Sequence, residues 1–513
     1  MGVAAAEPAR GKNDYLNILS GTTQNVVGIV IAALATFAVN VLMSNTLGAA
    51  AFGVVTVATQ AAFVASYATR AGMDMAVLRD VAVEVGQRRF GHIRVPVARA
   101  TWIGAVVSAV VGGLVLAAPA PVQTLLSLEG RDGRLAVQMA AIGLPFLALA
   151  NVWLSATRGL KIMRYTLYVF WSGQPIVWIA LMLAGWFVAR TSWMSTLAYS
   201  LSWVVAAAAA GYFWRRESAR WDADPMEPGE MTKLFRYAGP RAPAALFSQL
   251  LFWTDLFVLT RYASEVEIGV YSAALRAGQV IVLFLTSVSL MFSPFVADLH
   301  NRGETERLDR LFKTLTRWTI AATMPIFLLL LVAPEEALRI FGGRFTEGQA
   351  ALLILIAGQF VNIATGSVGF VLIMVGRTGW DLAVYAGSLA LNLALAFWLC
   401  PRYGMEGAAV ANAVTFALSK WARLYLVKRF VGIQPYDRDY ARLILPVVVS
   451  LGVMYLVHAA VDGWWLVDLV ATAAAGSVAY AGAYVVAGLT PRERTAAASL
   501  LESFRSRAAA PKP

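Results

Sequence analysis

Long apolar stretches recur along the chain from about residue 20 to residue 488, with only short polar gaps between them. A helix needs about 20 predominantly apolar residues to cross a bilayer. The stretches therefore predict many transmembrane helices and leave no room for a soluble domain of useful size. Charged residues make up only 14% of the 513 positions, against roughly 25% in soluble domains, which indicates that most of the surface faces lipid.

The pattern predicts an all-α polytopic membrane protein with about fourteen transmembrane helices. The predicted spans are 22–43, 51–69, 100–118, 136–156, 165–187, 194–213, 242–260, 268–290, 319–333, 350–373, 380–400, 405–425, 443–461 and 464–487. The ninth is the shortest of them.

The distribution of lysine and arginine tests these spans, because short cytoplasmic loops are enriched in both residues. If the N-terminus is cytoplasmic, 34 of the 42 basic residues lie in inside segments or at the inside end of a span, seven in outside loops and one, Arg276, deep within a span. One missed span would invert every later loop and destroy this alternation. The sequence therefore predicts an even number of spans and two cytoplasmic termini. The net charge of +12 is explained by this topology, so no nucleic-acid partner is predicted.

An internal repeat divides the spans into groups. Residues 52–58 resemble 268–274 at an offset of 216, and 158–168 resemble 375–385 at an offset of 217. Two anchors at nearly one offset predict two six-span units of the same orientation, related by an axis along the membrane normal. The predicted segments are 1–21 (cytoplasmic N-terminal segment), 22–215 (N-lobe, helices 1–6), 216–241 (cytoplasmic inter-lobe linker), 242–428 (C-lobe, helices 7–12), 429–488 (helices 13 and 14) and 489–513 (cytoplasmic tail).

Two ionisable residues stand out in the interior of the predicted spans, Asp255 in span 7 and Arg276 in span 8. Such a residue costs about 2.5–3.5 kcal/mol on insertion scales, so each should face a cavity or a partner. Both lie at similar depth, roughly 9 and 12 Å below the outer ends of their spans. This allows two interpretations. Either they form an ion pair that fastens the two helices together, or Arg276 also lines a hydrophilic cavity and meets an anionic substrate.

Three glutamines extend the polar face around this pair. Gln279 lies one helical turn below Arg276, and Gln249 lies nearly two turns below Asp255. The repeat places Gln60 of the N-lobe opposite Arg276. One lobe is therefore predicted to be neutral at the level where the other is charged, and all five residues are candidates for substrate binding.

Charged residues also mark the cytoplasmic ends of several spans. Arg70 and Asp74, at the end of span 2, are four residues apart and able to pair on a helix, and Arg79 follows them. The simpler interpretation is positive-inside anchoring. The alternative is a cytoplasmic mouth at which Arg70 attracts a phosphate and the other two act as a gate. Lys420, near the end of span 12, and Arg241, before span 7, are further candidates for this mouth.

Motifs of soluble enzymes are absent from the sequence. No Gly-rich loop ends in Gly-Lys followed by Ser or Thr, and the three histidines, His92, His300 and His458, are too scattered to predict a metal site. Cys400 is the only cysteine, so no intramolecular disulfide is possible. No cofactor is predicted.

Several short motifs occur in a characteristic order. They are Leu47-Gly48 with Phe52-Gly53, Ala71-Gly72 through Leu78-Arg79, 267–274 with Asp255 upstream and Arg276 downstream, Pro294 before Gly303 and 306–308, and 403–409. In this order and spacing the chain, over about residues 15–430, resembles the polysaccharide flippase branch of the multidrug/oligosaccharidyl-lipid/polysaccharide exporter superfamily.

The resemblance implies two six-helix lobes in a V-shaped arrangement around a central cavity, and transport by alternating access. It implies a polyprenyl-pyrophosphate-linked oligosaccharide as substrate, flipped from the cytoplasmic to the periplasmic leaflet of a bacterial inner membrane. Such a glycan would serve O-antigen, exopolysaccharide or capsule assembly, with a polysaccharide polymerase and chain-length machinery as partners beside membrane lipid. Arg276, helped by Arg70, would attract the phosphates. Exchange for a proton or sodium ion stays open, and Asp255 is the only mid-span carboxylate in the core able to carry one.

Three alternatives remain open. A cation-coupled drug exporter of the same superfamily would usually need a carboxylate in span 1, which has none. A lipid II flippase would need arginines in span 1, which are also absent. A membrane polymerase or ligase would need a sizeable outside loop with catalytic residues. The largest outside loops, 119–135 and 334–349, are short, although they contain Glu129, Asp132, Glu335, Glu336 and Glu347.

Overall fold

The computed structural model describes residues 7–222, 224–225, 229–461, 463–490 and 493. Side chains are described in these ranges apart from those of residues 7–32, 230, 233, 240, 241, 290 and 294. The described residues form helices and turns, with no strand among them. This confirms the all-α polytopic prediction.

Fourteen helices of the described chain correspond to the predicted spans. They are α1 (7–47), α2 (49–69), α3 (Arg94–Ala117), α4 (Gly130–Gly159), α5 (Arg164–Trp186), α6 (Ser192–Ser218), α7 (Glu230–Leu259), α8 (Glu265–Asn301), α9 (Thr305–Val332), α10 (Gln349–Ala364, continued by Val368–Met374), α11 (378–403), α12 (405–431), α13 (Ile444–Ala460) and α14 (Trp465–Ala483).

Glycines divide two of the long helical stretches, α1 from α2 at Gly48 and α11 from α12 at Gly404. Their φ angles of 78° and 51° lie in the region that glycine enters without steric cost. The chain reverses at Gly404, because a Cβ added to Gly407 would lie 2.5 Å from the carbonyl oxygen of Leu399. In a straight helix these two residues would be about 12 Å apart. Divided at these two glycines, the twelve apolar helical stretches of the described chain give fourteen helices.

The spanning helices form two lobes and an added pair. Helices α1–α6 pack into an N-lobe and α7–α12 into a C-lobe, while α13 and α14 pack against each other and against α9. Alternate loops lie at opposite ends of the molecule. We call these the Gly48 end and the Arg70 end, after one residue in a turn at each.

At the Gly48 end the lobes touch where α2 crosses α8. A Cβ added to Gly53 would lie 2.6 Å from the carbonyl oxygen of Glu265 and 2.9 Å from the backbone nitrogen of Gly269. A Cβ added to Gly269 would overlap the backbone of Ala49. Only glycine allows two helices to approach this closely. Gly53 and Gly269 are equivalent positions of the repeat, so the crossing lies on its pseudo-two-fold axis.

At the Arg70 end the lobes touch through the first turns of α7. These turns pack on Met73–Gly86, a short helix that follows α2. A Cβ added to Gly72 would lie 2.8 Å from the carbonyl oxygen of Ala238. The lobes are therefore in contact at both ends in this conformation.

One predicted span boundary differs from the structure, and two charged residues lie on a separate helix. The ninth span, predicted at 319–333, is the 28-residue helix α9. Its first turns are polar and form ion pairs along the helix, such as Lys313 with Asp309 at 2.5 Å, so a hydropathy window omits them. Asp74 and Arg79 do not end span 2 but lie on Met73–Gly86. The predicted cytoplasmic tail, 489–513, lies outside the described residues except for 489, 490 and 493.

Candidate functional site

Gln60 and Arg276 lie at matching levels below the glycine crossing. Each follows its crossing glycine, Gly53 or Gly269, by seven residues. Seven residues make two helical turns, so each side chain leaves the same face of its helix as the glycine, roughly 10 Å further along. That face is the one each helix presents to the other lobe. Gln60 and Arg276 are both half-buried, and that they oppose each other stays a prediction.

Arg276 lies between aromatic side chains of both lobes. Its guanidinium carbon is 4.9 Å from the ring centre of Trp253 on α7, and it interacts electrostatically with Tyr199 on α6 of the N-lobe. Among the described residues it has no ion-pair partner, and its buried Nε has no hydrogen-bond partner. A cation–π contact offsets only part of the cost of burying a charge. The arrangement leaves the charge of Arg276 available to an anion.

Asp255 is fully buried and does not pair with Arg276 among the described residues. Its Oδ2 accepts a short hydrogen bond from the Tyr271 hydroxyl. Asn412 on α12 approaches the same carboxylate, although Oδ1 has no hydrogen bond of good geometry. The register of α7 and α8 explains why the ion-pair interpretation fails. It places Asp255 opposite Tyr271, which lies roughly 7.5 Å along α8 from Arg276.

The predicted glutamines separate into two environments. Gln279 lines a small cavity inside the C-lobe, together with Gln359 and with Asn412, the neighbour of Asp255. This cavity has a volume of about 10 Å³, which is space for one water molecule. Gln249 on α7 is half-buried. The polar face therefore continues from the lobe interface into the C-lobe interior.

Arg70 is the most buried of the predicted mouth residues, with 2% of its surface exposed. Its Nη1 lies 2.9 Å from Oδ2 of Asp74, and its guanidinium carbon lies 4.0 Å from the ring centre of Tyr67. The predicted pair therefore forms, but across the turn at 71–72 rather than within one helix. Arg158 at the end of α4, which the sequence did not single out, interacts electrostatically with both members. In this conformation Arg70 is buried against Asp74 and Tyr67, and its Nη2 has no hydrogen-bond partner among the described residues.

Lys420 belongs to a similar cluster in the C-lobe. It is half-buried beside a buried ion pair in which Arg423 Nε lies 2.9 Å from Asp381 Oδ1. The guanidinium carbon of Arg423 is 4.1 Å from the ring centre of Tyr385. Each lobe thus contains a buried arginine that is paired with an aspartate and stacked on a tyrosine.

The last two mouth candidates are at the Arg70 end. Arg79 is exposed, with its guanidinium carbon 4.7 Å from the ring centre of Tyr237 on α7. It therefore bridges the lobes where Met73–Gly86 meets α7. The side chain of Arg241 lies outside the described residues.

An apolar cleft of about 380 Å³ opens between α1 of the N-lobe and α8 and α9 of the C-lobe. Its lining includes Phe37, Ile281 and Phe284. At its rim, Leu34 is 63% exposed and Ile326 39% exposed, so the cleft opens sideways toward lipid. Its lining on α8 begins four residues beyond Arg276, roughly 6 Å along the helix.

Sequence reasoning missed the aromatic partners of the two charges. Tyr199, Trp253 and Tyr271 resemble ordinary apolar span residues in a hydropathy pattern. The polar group of a buried tyrosine or tryptophan usually has a partner. This signal would have drawn attention to Tyr271, which lies on the same helix as Arg276.

Comparison with known families gives two matches. The sequence model of the family described as "Polysaccharide biosynthesis protein" matches residues 18–300, more than half of the chain. The model of the family named MatE matches residues 240–398.

One curated relative is the "Probable low-salt glycan biosynthesis flippase Agl15" of Haloferax volcanii, 24% identical over 202 residues. The match covers 39% of this chain and 43% of the relative, so less than half of the relative's length is matched.

Solved structures show the same fold at low sequence identity. "Lipid II flippase MurJ, inward closed conformation" is 14% identical with a TM-score of 0.71, covering 90% of this chain and 97% of that one. An inward-facing multidrug resistance transporter of the MATE family is 13% identical with a TM-score of 0.65, covering 78% and 94%. These likenesses concern the fold alone.

Proposed function

The chain belongs to the polysaccharide biosynthesis protein family of the multidrug/oligosaccharidyl-lipid/polysaccharide exporter superfamily, and on this premise we propose that it flips a lipid-linked glycan across the membrane. Part of the chain is similar to a glycan biosynthesis flippase. A glycan headgroup is too polar to cross hydrocarbon, whereas its lipid tail is at home there. The protein therefore has to supply a polar route for the headgroup and an opening for the tail.

The observation that carries the proposal is the unpaired charge of Arg276 at the lobe interface. A pyrophosphate offers oxygens that suit the forked donors of a guanidinium. No described carboxylate within 4.0 Å competes for this arginine. We propose that Arg276 binds the phosphates of a polyprenyl-pyrophosphate-linked oligosaccharide, with Gln60 and Gln279 lining the path of the sugars.

The apolar cleft supports a lipid-linked rather than a free substrate. It lies within about two helical turns of Arg276 on α8 and opens toward lipid at Leu34 and Ile326. A phosphate bound at Arg276 would place the first carbons of an attached chain at this cleft. The tail would then stay in the bilayer while the headgroup crosses between the lobes.

The membrane potential is a sufficient driving force for an anionic headgroup. We propose that the Arg70 end is cytoplasmic, as the distribution of lysine and arginine predicts. With a negative interior, outward movement of one negative charge is favoured by about 2.3 kcal/mol per 100 mV. A pyrophosphate headgroup moving from the Arg70 end to the Gly48 end would gain this energy for each charge.

Asp255 is the group we propose for coupling to a proton or sodium ion. Its carboxylate is 0% exposed, and one oxygen has no hydrogen-bond partner among the described residues. Neutralising the Asp255 carboxylate would weaken its interactions with Tyr271 and Asn412, which both lie on helices of the C-lobe. Flipping in vesicles should then respond to a proton or a sodium gradient, and Asp255→Asn should remove that response. Equal rates with and without both gradients would contradict coupling.

The wider setting is also a proposal. We place the protein in a bacterial inner membrane, where it supplies a surface polysaccharide pathway such as O-antigen, exopolysaccharide or capsule assembly and acts beside a polymerase and chain-length machinery. The cargo can be identified as the lipid-linked glycan that accumulates when the gene is deleted. If lipid II accumulates instead, the protein acts in peptidoglycan synthesis and the surface polysaccharide proposal is wrong.

A binding experiment tests the role of Arg276. We expect a short-chain polyprenyl-pyrophosphate glycan to bind the purified protein in detergent at least tenfold more weakly after Arg276→Gln. The matched control is Arg402→Gln, because Arg402 is an exposed arginine at the Gly48 end. In cells, Arg276→Ala should abolish export of the glycan while the protein stays in the membrane. Unchanged binding and unchanged surface polysaccharide in these variants would rule out the cavity arginine.

A further inference from the structure

Three potential metal ligands from distant parts of the chain meet at the Gly48 end. They are Glu336 on the short helix Pro334–Arg339, His458 near the end of α13 and Asp468 in the first turn of α14. One ligand atom of each lies within 4.8 Å of the others. We infer that this cluster is a zinc-class metal site that fastens the α13–α14 hairpin to the C-lobe.

The contacts inside the cluster resemble those of a built site. His458 Nδ1 lies 2.8 Å from Asp468 Oδ2. The other carboxylate oxygen, Oδ1, accepts a hydrogen bond of 3.0 Å from the Thr472 hydroxyl. Asp468 is 7% exposed, so its orientation is fixed by packing and by Thr472. Hydrogen bonds of this kind commonly orient the carboxylate ligands of a metal.

Glu336 is the member whose carboxylate is free to take a cation. It has no hydrogen-bond or ion-pair partner among the described residues, whereas its neighbour Glu335 pairs with Arg339 at 2.8 Å. When the His458 imidazole is neutral, the half-buried cluster has a charge of −2 from its two carboxylates. Like charges this close repel each other. A divalent cation would neutralise both.

The donor set selects the class of metal. One imidazole nitrogen and two carboxylates suit zinc, whereas calcium and magnesium prefer oxygen ligands alone. Tetrahedral zinc with bonds of about 2.0–2.1 Å holds its ligand atoms about 3.3 Å apart. The separations in the cluster range from 2.8 Å to 4.8 Å or less. Small side-chain movements would therefore bring all three side chains to bonding distance of one zinc ion, with water as the fourth ligand.

The position of the ligands gives the metal a structural role. His458 and Asp468 come from the two helices of the hairpin, and Glu336 follows α9 of the C-lobe. The hairpin otherwise contacts the C-lobe mainly through α9 and this short helix. Because the folded chain brings the ligands together and the unfolded chain does not, metal binding would stabilise this docking.

The test uses the full-length protein in detergent with any polyhistidine tag removed, stripped by a chelator and titrated with Zn²⁺. We expect one Zn²⁺ per chain and a higher unfolding temperature when it is bound. His458→Gln and Glu336→Gln should each weaken binding at least tenfold. Co²⁺ in place of Zn²⁺ should give the visible absorption of a tetrahedral site in the wild type and lose it in both variants.

Two matched controls make the result decisive. Glu335→Gln removes a neighbouring carboxylate outside the cluster, and His300→Gln removes a histidine at the opposite end of the molecule. Both should bind Zn²⁺ like the wild type, and circular dichroism should show that every variant is folded. Wild-type binding by Glu336→Gln, or no bound Zn²⁺ in the wild type, would overturn the proposal. So would an unfolding temperature that does not change when Zn²⁺ is added to the stripped wild type.

Discussion

The two lobes share a fold but differ in where they contain charge. Arg276 of the C-lobe corresponds to Gln60 of the N-lobe, and Asp255 corresponds to Val39 at the same offset of 216 residues. Val39 and Asp255 are both 0% exposed, so the same buried position is apolar in one lobe and charged in the other. The glycine crossing is shared by both lobes, whereas the chemistry is concentrated in one.

This difference separates structural from functional charge. The arginine–aspartate pairs with a tyrosine platform, one in each lobe, are buried and held by their aspartates, although Nη2 of Arg70 and Nη2 of Arg423 have no hydrogen-bond partner among the described residues. The charge that occurs in one lobe only, Arg276, has no ion-pair partner among the described residues. We therefore expect changes to the shared features to affect stability, and changes to Arg276 to affect transport.

The largest stability effects should come from the shared ion pairs. Asp74→Asn and Asp381→Asn each leave a buried arginine without its counter-charge, at a cost of about 3–5 kcal/mol. The aspartates are similarly buried, with 9% and 6% of their side chains exposed, so we expect comparable falls in unfolding temperature. Asp298→Asn is the control, because its pair with Arg302 is exposed and worth less than about 1 kcal/mol. A fall in unfolding temperature in only one of the two variants would show that the two ion pairs are not equivalent in the two lobes.

The glycine crossing should be the next most sensitive feature. Gly269→Ala and Gly53→Ala force α2 and α8 apart, and overpacking of this kind costs about 1–3 kcal/mol. Spin labels at Arg131 and Arg402, on opposite lobes of the Gly48 end, should report a longer distance in both variants. Gly113→Ala has open space around it and should leave the distance unchanged. A shift in only one of the two crossing variants would show that the crossing is not symmetric.

Tyr271→Phe should have a similar or smaller effect, confined to the C-lobe. It removes the hydrogen bond to the Asp255 carboxylate, and an unsatisfied buried acceptor costs about 1–3 kcal/mol. The equivalent N-lobe residue is the buried Val55, so the N-lobe offers no such bond to lose. Thermal unfolding measures the effect, with the exposed Tyr212→Phe as control. An unchanged unfolding temperature would mean that the bond contributes nothing to the fold.

The smallest effect is expected at Gln60. Gln60→Ala removes a neutral, half-buried side chain, and we expect flipping in vesicles to fall by less than about threefold, or roughly 0.6 kcal/mol. A loss as large as that of Arg276→Gln would show that the two lobes contribute equally to the substrate path.

Much of the fold was predictable from the sequence, because hydropathy and the positive-inside rule act locally. The spans, the glycine turns and the repeat depend on residues that are close together or regularly spaced. The first turns of α9 and the helix Met73–Gly86 were missed because both are too polar or too short for a hydropathy window.

The site was only partly predictable. Arg276 and Asp255 stand out because charge is rare inside a membrane, but their partners depend on how α7 and α8 align. An alignment shifted by about one turn would have brought them together. The cluster of Glu336, His458 and Asp468 shows the same limit. The cluster forms only where three distant segments of the chain meet. A search of the sequence for closely spaced histidines cannot detect such a contact.

The central claim is that the positive charge at Arg276 in the lobe interface carries the substrate anion. It can be tested by measuring the flipping of a fluorescent lipid-linked glycan in vesicles containing the wild type, Arg276→Gln, or Arg276→Gln combined with Gln60→Arg. We expect at least a tenfold loss of rate in the single variant and partial recovery in the double variant, which returns the charge to the equivalent face of the other lobe. A wild-type rate in Arg276→Gln would contradict the account.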